Sequence, residues 1–148
     1  MLGIISIAAA AKEVIRTLSQ RSERMKALRD HFEVELPRGL DRCEINGQSV
    51  PRLPNTSSVL CEGIRGDDLV VALDLEGILV SSGAACSSGK PEASHVLLAM
   101  GQPEERVRST IRVSFRADQS LADVDRAVDA IIRSVTRMRG YQGGERAA

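Results

Sequence analysis

Few residues of this chain could do chemistry. The first candidate is Cys86, in the run Ser81-Ser82-Gly83-Ala84-Ala85-Cys86-Ser87-Ser88-Gly89, which carries no charge and no bulky side chain. Such a run cannot build a core of its own, and its two glycines predict a loop that swings. A thiol on a swinging loop suits sulfur chemistry, because the thiolate must reach a substrate and then a second partner. The same composition also suits a solvent loop with an incidental cysteine. A free cysteine titrates near ~8.5, so Cys86 is mostly protonated at neutral pH unless perturbed. Lys90 and the amino end of a following helix would favour the thiolate modestly. His95 makes a Cys–His dyad conceivable, but nearness in sequence does not set its geometry, and a structural or surface histidine is the favoured reading. Arg112 is the second candidate. Its guanidinium can hold a carboxylate by two parallel hydrogen bonds, which lysine cannot do. On pattern alone, it reads as a strand arginine facing water.

Other groups are assigned no chemistry. Asp67-Asp68 and Glu104-Glu105 stand at predicted helix starts, where negative charge is simply stabilising. Gly63-Ile64-Arg65-Gly66 lacks the glycine spacing and the G-K-[ST] ending of a phosphate loop. The three cysteines, Cys43, Cys61 and Cys86, form no C-x-x-C, and His31 lies far from His95. No metal site and no disulfide framework is expected. Cys43 and Cys61 lie in strand-like segments and read as small apolar fillers. This cysteine usage fits a reduced, cytoplasmic setting.

The elements that must position these residues alternate between helix and strand. A helix is predicted from about Ile5 to Leu36, with Val14, Leu18, Met25, Leu28 and Phe32 on one face and Pro37 and Gly39 ending it. Its apolar opening, Met1 to Ala11, lacks a positively charged start and is too short to cross a bilayer, so a buried helix start is expected. Cys43 to Gly47 reads as a strand entering a turn, Val50 to Pro54 as extended, and Ser57 to Cys61 as a strand. Gly66 opens a short helix that Gly77 stops. Gly77-Ile78-Leu79-Val80 reads as a strand leading into the Cys86 loop, and Pro91 as the start of a helix that Gly101 stops. Thr110 to Phe115 alternates as a strand does. Ser120 and Asp123 resemble a capping box for a last helix carrying Leu121, Val124, Val128, Ile131, Val135 and Met138 on one face. The residues from Gly140 read as a frayed tail.

Bulk composition fits this reading. The chain has 148 residues, 43% hydrophobic and 27% charged, the profile of one ordinary globular domain. Formal net charge is +0 and aromatics are only 2%, so neither a basic field nor stacking platforms are available for nucleic acid.

Read together, the blocks resemble the carboxy-terminal part of a cysteine desulfurase of the class V aminotransferase family. Arg52-Leu53-Pro54-Asn55-Thr56 resembles the segment that enters the small domain. Ala72-Leu73-Asp74 and then Gly77 through Cys86 resemble the helix, strand and active-cysteine loop, of the long, serine- and glycine-rich type. Glu92 to Gly101 resembles the helix after that loop, and Thr110 to Phe115 the strand bearing the substrate arginine. The resemblance implies the small domain of the fold-type I transferase fold, a mostly antiparallel sheet with helices on one side. It divides the chain into a linking helix over 1–36, a small domain over 37–139 with its active loop at 81–90, and the tail at 140–148. It gives Cys86 the role of sulfur-accepting nucleophile and Arg112 that of binding the substrate carboxylate. It implies pyridoxal 5′-phosphate as cofactor, free cysteine as substrate, and an iron–sulfur scaffold or tRNA-modifying protein as sulfur acceptor.

The chain also departs from the family pattern. The family's cofactor lysine lies in a Ser-His-Lys type segment far upstream of the loop, and no such segment occurs here. No cofactor-binding residue is therefore assigned to this chain, and by itself it is expected to be inactive. A cofactor domain on a partner chain, and a homo-oligomer, are the expected partners. A cofactor-free persulfide carrier and an inactive truncated remnant are the alternatives. Arg116 stands where the family has a small residue, and is expected to disturb the turn.

Overall fold

The computed structural model describes residues 2–82 and 93–145. Five helices and four strands occur among them: α1 (Leu2–Gly39), β1 (Cys43–Ile45), β2 (Thr56–Cys61), α2 (Gly66–Leu75), β3 (Ser81–Ser82), α3 (His95–Ala99), α4 (Glu104–Arg108), β4 (Thr110–Ser114) and α5 (Leu121–Glu145). The strands form one sheet in the order β1-β2-β4-β3, every neighbour antiparallel. The expected antiparallel sheet with helices is what the chain adopts, the longer helices α1, α2 and α5 packing on one face.

Alternation along the strands decides the sheet's two faces. Val59 and Cys61 of β2 and Ile111 and Val113 of β4 enter the main core. Leu28, Phe32 and Leu36 of α1, Leu69 and Leu73 of α2, and Val124, Val128, Ile131 and Val135 of α5 meet them there. Phe32 and Phe115 touch edge to face with ring centres 5.4 Å apart. Among the described residues, α4 reaches the opposite face, with α3 packed against α4. Leu60, Leu97 and Val107 are buried apart from the main core. From α4, Arg106 donates to Glu62 Oε1 at 2.9 Å and also to Glu44.

Several boundaries differ from the expectations, each for a local reason. Only the second half of α1 is buried; Ile4, Ile5, Ile7, Val14, Ile15 and Leu18 are exposed. The expected buried start is thus corrected: no described element packs over those turns. The same helix passes Pro37 and stops at Gly39, since a proline in a last turn removes only one ladder bond. Helix α5 continues through Gly140 to Glu145, past the expected fraying point.

The run Gly77–Val80 does not pair. Gly77, at φ +74, wraps the end of α2, with its N–H donating to Asp74 O at 2.9 Å and that of Ile78 to Leu73 O at 2.9 Å. This cap engages the segment first, and pairing begins only at Ser81. Helix α3 starts at His95 rather than Pro91, because Ser94 is its cap, accepting from Leu97 N at 3.5 Å. Pro91 itself lies outside the described residues. At Arg116 the expected disturbance of the turn is absent. Among described non-glycine residues only Arg42 has a positive φ, so no glycine is demanded at 116, and the exposed Arg116 side chain pairs with Asp118.

Candidate functional site

Arg112 lies in the middle of β4, between Ile111 and Val113, whose side chains enter the core. Alternation therefore points it to the opposite, open face, where it is exposed. Its register partners are Ser58 on β2 and Ser81 on β3. Directly paired residues share a face with Cβ atoms ~5 Å apart, so Ser58 and Ser81 stand on either side of Arg112 on this face, the Ser81 hydroxyl donating to Ser82 O at 3.1 Å. Beyond Ser58, Asn46 continues the row, with Nδ2 donating to Ser58 Oγ at 3.1 Å. A polar row, Asn46–Ser58–Arg112–Ser81, thus crosses the open face. It sets an exposed cation in a strip of hydroxyl and amide side chains, a composition that suits a carboxylate.

The row rests on a buried ionic anchor beneath the sheet. Glu33 of α1 is buried, and Arg52 donates to its two oxygens at 2.7 and 2.8 Å. Ser57 Oγ donates to the same carboxylate at 2.7 Å. Burial opposes the charge on Glu33, but the hydrogen bonds from Arg52 and Ser57 outweigh it and hold the carboxyl below the usual carboxylate range. Arg29 donates to Leu53 O at 2.8 Å, which fastens the extended segment before β2 to the same helix. Ser57 points to the anchor and Ser58, the next residue, to the open face. The anchor therefore fixes the face on which Ser58 meets Arg112.

The remaining candidates are placed as follows. Cys86 and Lys90 lie outside the described residues. His95 is exposed at the first residue of α3. The acidic pairs sit at helix starts, Asp67 and Asp68 on α2 and Glu104 and Glu105 on α4. Among the described residues no cluster of three or more His, Cys, Asp or Glu side chains could hold a metal ion. Nor is any helix among them long and apolar enough to cross a membrane. Sequence reasoning does not find Asn46, Ser58 and Ser81. Each is an ordinary polar residue there, and only the strand register puts them beside Arg112.

Comparison with known proteins decides the family. The profile described as "Aminotransferase class-V" matches residues 1–127. The chain belongs to the class-V aminotransferase family. Its curated relatives in this family include a cysteine desulfurase of Gluconacetobacter diazotrophicus, 37% identical over 137 residues. That match covers 93% of this chain and 34% of the relative. A cysteine desulfurase of Bradyrhizobium diazoefficiens is 38% identical over 137 residues, covering 93% of this chain and 35% of the relative. The chain thus spans about a third of the length of the curated relatives it matches. Among solved structures, a NifS-like protein superposes with a TM-score of 0.76 at 28% identity, over 90% of this chain and 33% of that one. A NifS-like protein from Rickettsia africae gives 0.69 at 26% identity, over 82% of this chain and 31% of that one. The architecture is that of the small α/β domain of the pyridoxal-phosphate transferase fold.

The family implies pyridoxal 5′-phosphate, which such enzymes hold through a lysine. The described lysines do not fit that need. Lys12 is exposed on α1, and Lys26 on the same helix is ion-paired to Asp30 at 2.5 Å. Helix α1 packs on the core face, and Arg112 points to the other.

Proposed function

We propose that this chain supplies the substrate-carboxylate and sulfur-accepting parts of a cysteine desulfurase. The observation that carries the reading is the place of Arg112. It stands on the open face beside Ser81, and the chain reaches Cys86 four residues after Ser82. Four residues span at most about 14 Å, so the chain length from Ser82 allows that thiol to reach an amino acid held at Arg112. Arg112 holds the carboxylate of free cysteine, and Ser58 and Ser81 orient it.

The reaction then balances simply. Cysteine and the Cys86 thiol give alanine and a Cys86 persulfide: the substrate C–S bond breaks and an S–S bond forms. The outer sulfur passes to an acceptor thiol, on an iron–sulfur scaffold or a tRNA-thiolation protein. When bound, pyridoxal phosphate supplies the electron sink that C–S cleavage requires. This reading assigns the cofactor and its lysine to a cofactor domain, in a longer product or on a partner chain. By itself the chain does not turn over cysteine. Its setting in this reading is the cytoplasm, where thiols stay reduced.

The test is sulfur acceptance. The full chain is incubated with a low-molecular-weight persulfide, and the modified thiols are mapped by mass spectrometry. The expected result is persulfide on Cys86, absent from Cys86→Ser. Persulfide confined to Cys43 or Cys61 would overturn the reading.

A further inference from the structure

Folding brings together two cysteines that lie far apart in the sequence. Cys43 on β1 and Cys61 on β2 are register partners. The ladder bonds on either side define the kind of pair. Asn46 N donates to Ser58 O at 2.9 Å and Glu62 N to Arg42 O at 3.1 Å, so Cys43 and Cys61 fall between hydrogen-bonded pairs. Such pairs bring their Cα atoms to ~4.5 Å, within the ~4.4–6.8 Å that a disulfide spans. The two side chains share the core-side face of the sheet. Cys61 is fully buried, whereas Cys43 is half-buried on the outermost strand.

Arg139 of α5 clamps both backbones beside the thiols. It donates to Glu62 O at 2.9 Å, Asp41 O at 2.7 Å and Arg42 O at 3.1 Å. The neighbouring Cys61 thiol, with the nearby Arg139 charge, draws the Cys43 thiol below its ordinary value, while the Cys43 thiol and burial push Cys61 up. Of the two thiols, the half-buried Cys43 is the one an incoming small molecule can reach, and the buried Cys61 is shielded from it.

We propose that Cys43 and Cys61 form a dithiol site that closes to an intramolecular disulfide by exchange with a small disulfide of the oxidised-glutathione class. The Cys43 thiolate attacks one sulfur of that disulfide, forms a mixed disulfide and releases one glutathione thiolate. Cys61 gives up its proton to that leaving group and attacks Sγ of Cys43, releasing the second glutathione. Two protein thiols lose two electrons, and one small disulfide becomes two thiols. The bond staples the edge strand to the sheet.

The experiment treats the full chain and its Cys86→Ser variant with oxidised glutathione. Remaining thiols are alkylated, and the non-reduced digest is read by mass spectrometry over time. The expected product in both proteins is a linked Cys43–Cys61 peptide, preceded by glutathione on Cys43. Cys43→Ala should leave Cys61 unmodified. Complete alkylation of both thiols, glutathione appearing first on Cys61, or a bond to Cys86 instead would each overturn the proposal. Because the time course is read on the unmutated pair, it does not depend on how a Cys61 variant folds.

Discussion

Glu33 shows how much one side chain holds in place. It joins α1 to Arg52 ahead of β2 and to Ser57 within it. Glu33→Ala leaves the Arg52 guanidinium and the Ser57 hydroxyl without their acceptor, and should cost about 3 kcal/mol in urea unfolding. Its folded carboxyl titrates below its unfolded value. The stabilisation is therefore complete above the unfolded value of about 4.3 and is lost as pH falls through the lower folded one. The unfolding midpoint should fall in acid below about pH 4, and Glu33→Gln should flatten that dependence. None of this is legible in the sequence, where Glu33 is one of many charged residues on a long helix. Arg112 is legible as a residue type able to bind a carboxylate. Its neighbours are not, because register, rather than spacing, selects Ser58 and Ser81.

Local signals foretell most of the elements. The capping box before α5 is present, with Ser120 N donating to Asp123 Oδ2 at 2.8 Å and Asp123 N to Ser120 Oγ at 3.2 Å. Ser120→Ala should cost about 1 kcal/mol and speed amide exchange in the first turn of that helix. Gly66 does more than open α2. A Cβ there would lie 2.7 Å from Thr110 O and 3.2 Å from Arg108 O. Gly66→Ala must push the helix off the backbone around β4, and a loss of about 1–3 kcal/mol is expected by thermal or urea unfolding. The β3 and α3 boundaries depart from the pattern because caps override periodicity. The end of α2 takes up Gly77 and Ile78, and Ser94 starts α3. Cys43 and Cys61 are strand residues, as their segments predict. Their partnership needs the β1–β2 register, which neither strand encodes alone.

At the scale of the whole molecule, the sheet has one face sealed by α1, α2 and α5 and another left partly open around Arg112. The sheet with helices on one side is legible through the family resemblance, while alternation of apolar residues is plain only in β4. The reach of α1 is different. Its periodic face continues into turns where Ile4, Ile5, Ile7 and Ile15 are exposed. An apolar stripe of this kind favours association. Sedimentation should therefore show self-association that rises with concentration, weakened by Ile4→Ser with Ile15→Ser. Chain stability should stay within about 0.5 kcal/mol, because neither side chain is buried. The open face supports the central claim, that Arg112 and its two serines hold an amino-acid carboxylate. The most direct measurement is a titration of the full chain with alanine and, separately, with alaninamide, followed by nuclear magnetic resonance. Alanine should shift the Ser58, Ser81 and Arg112 signals, with alaninamide inert and Arg112→Gln abolishing the response. Equal shifts with alaninamide, or alanine shifts that leave those three residues unmoved, would contradict the account.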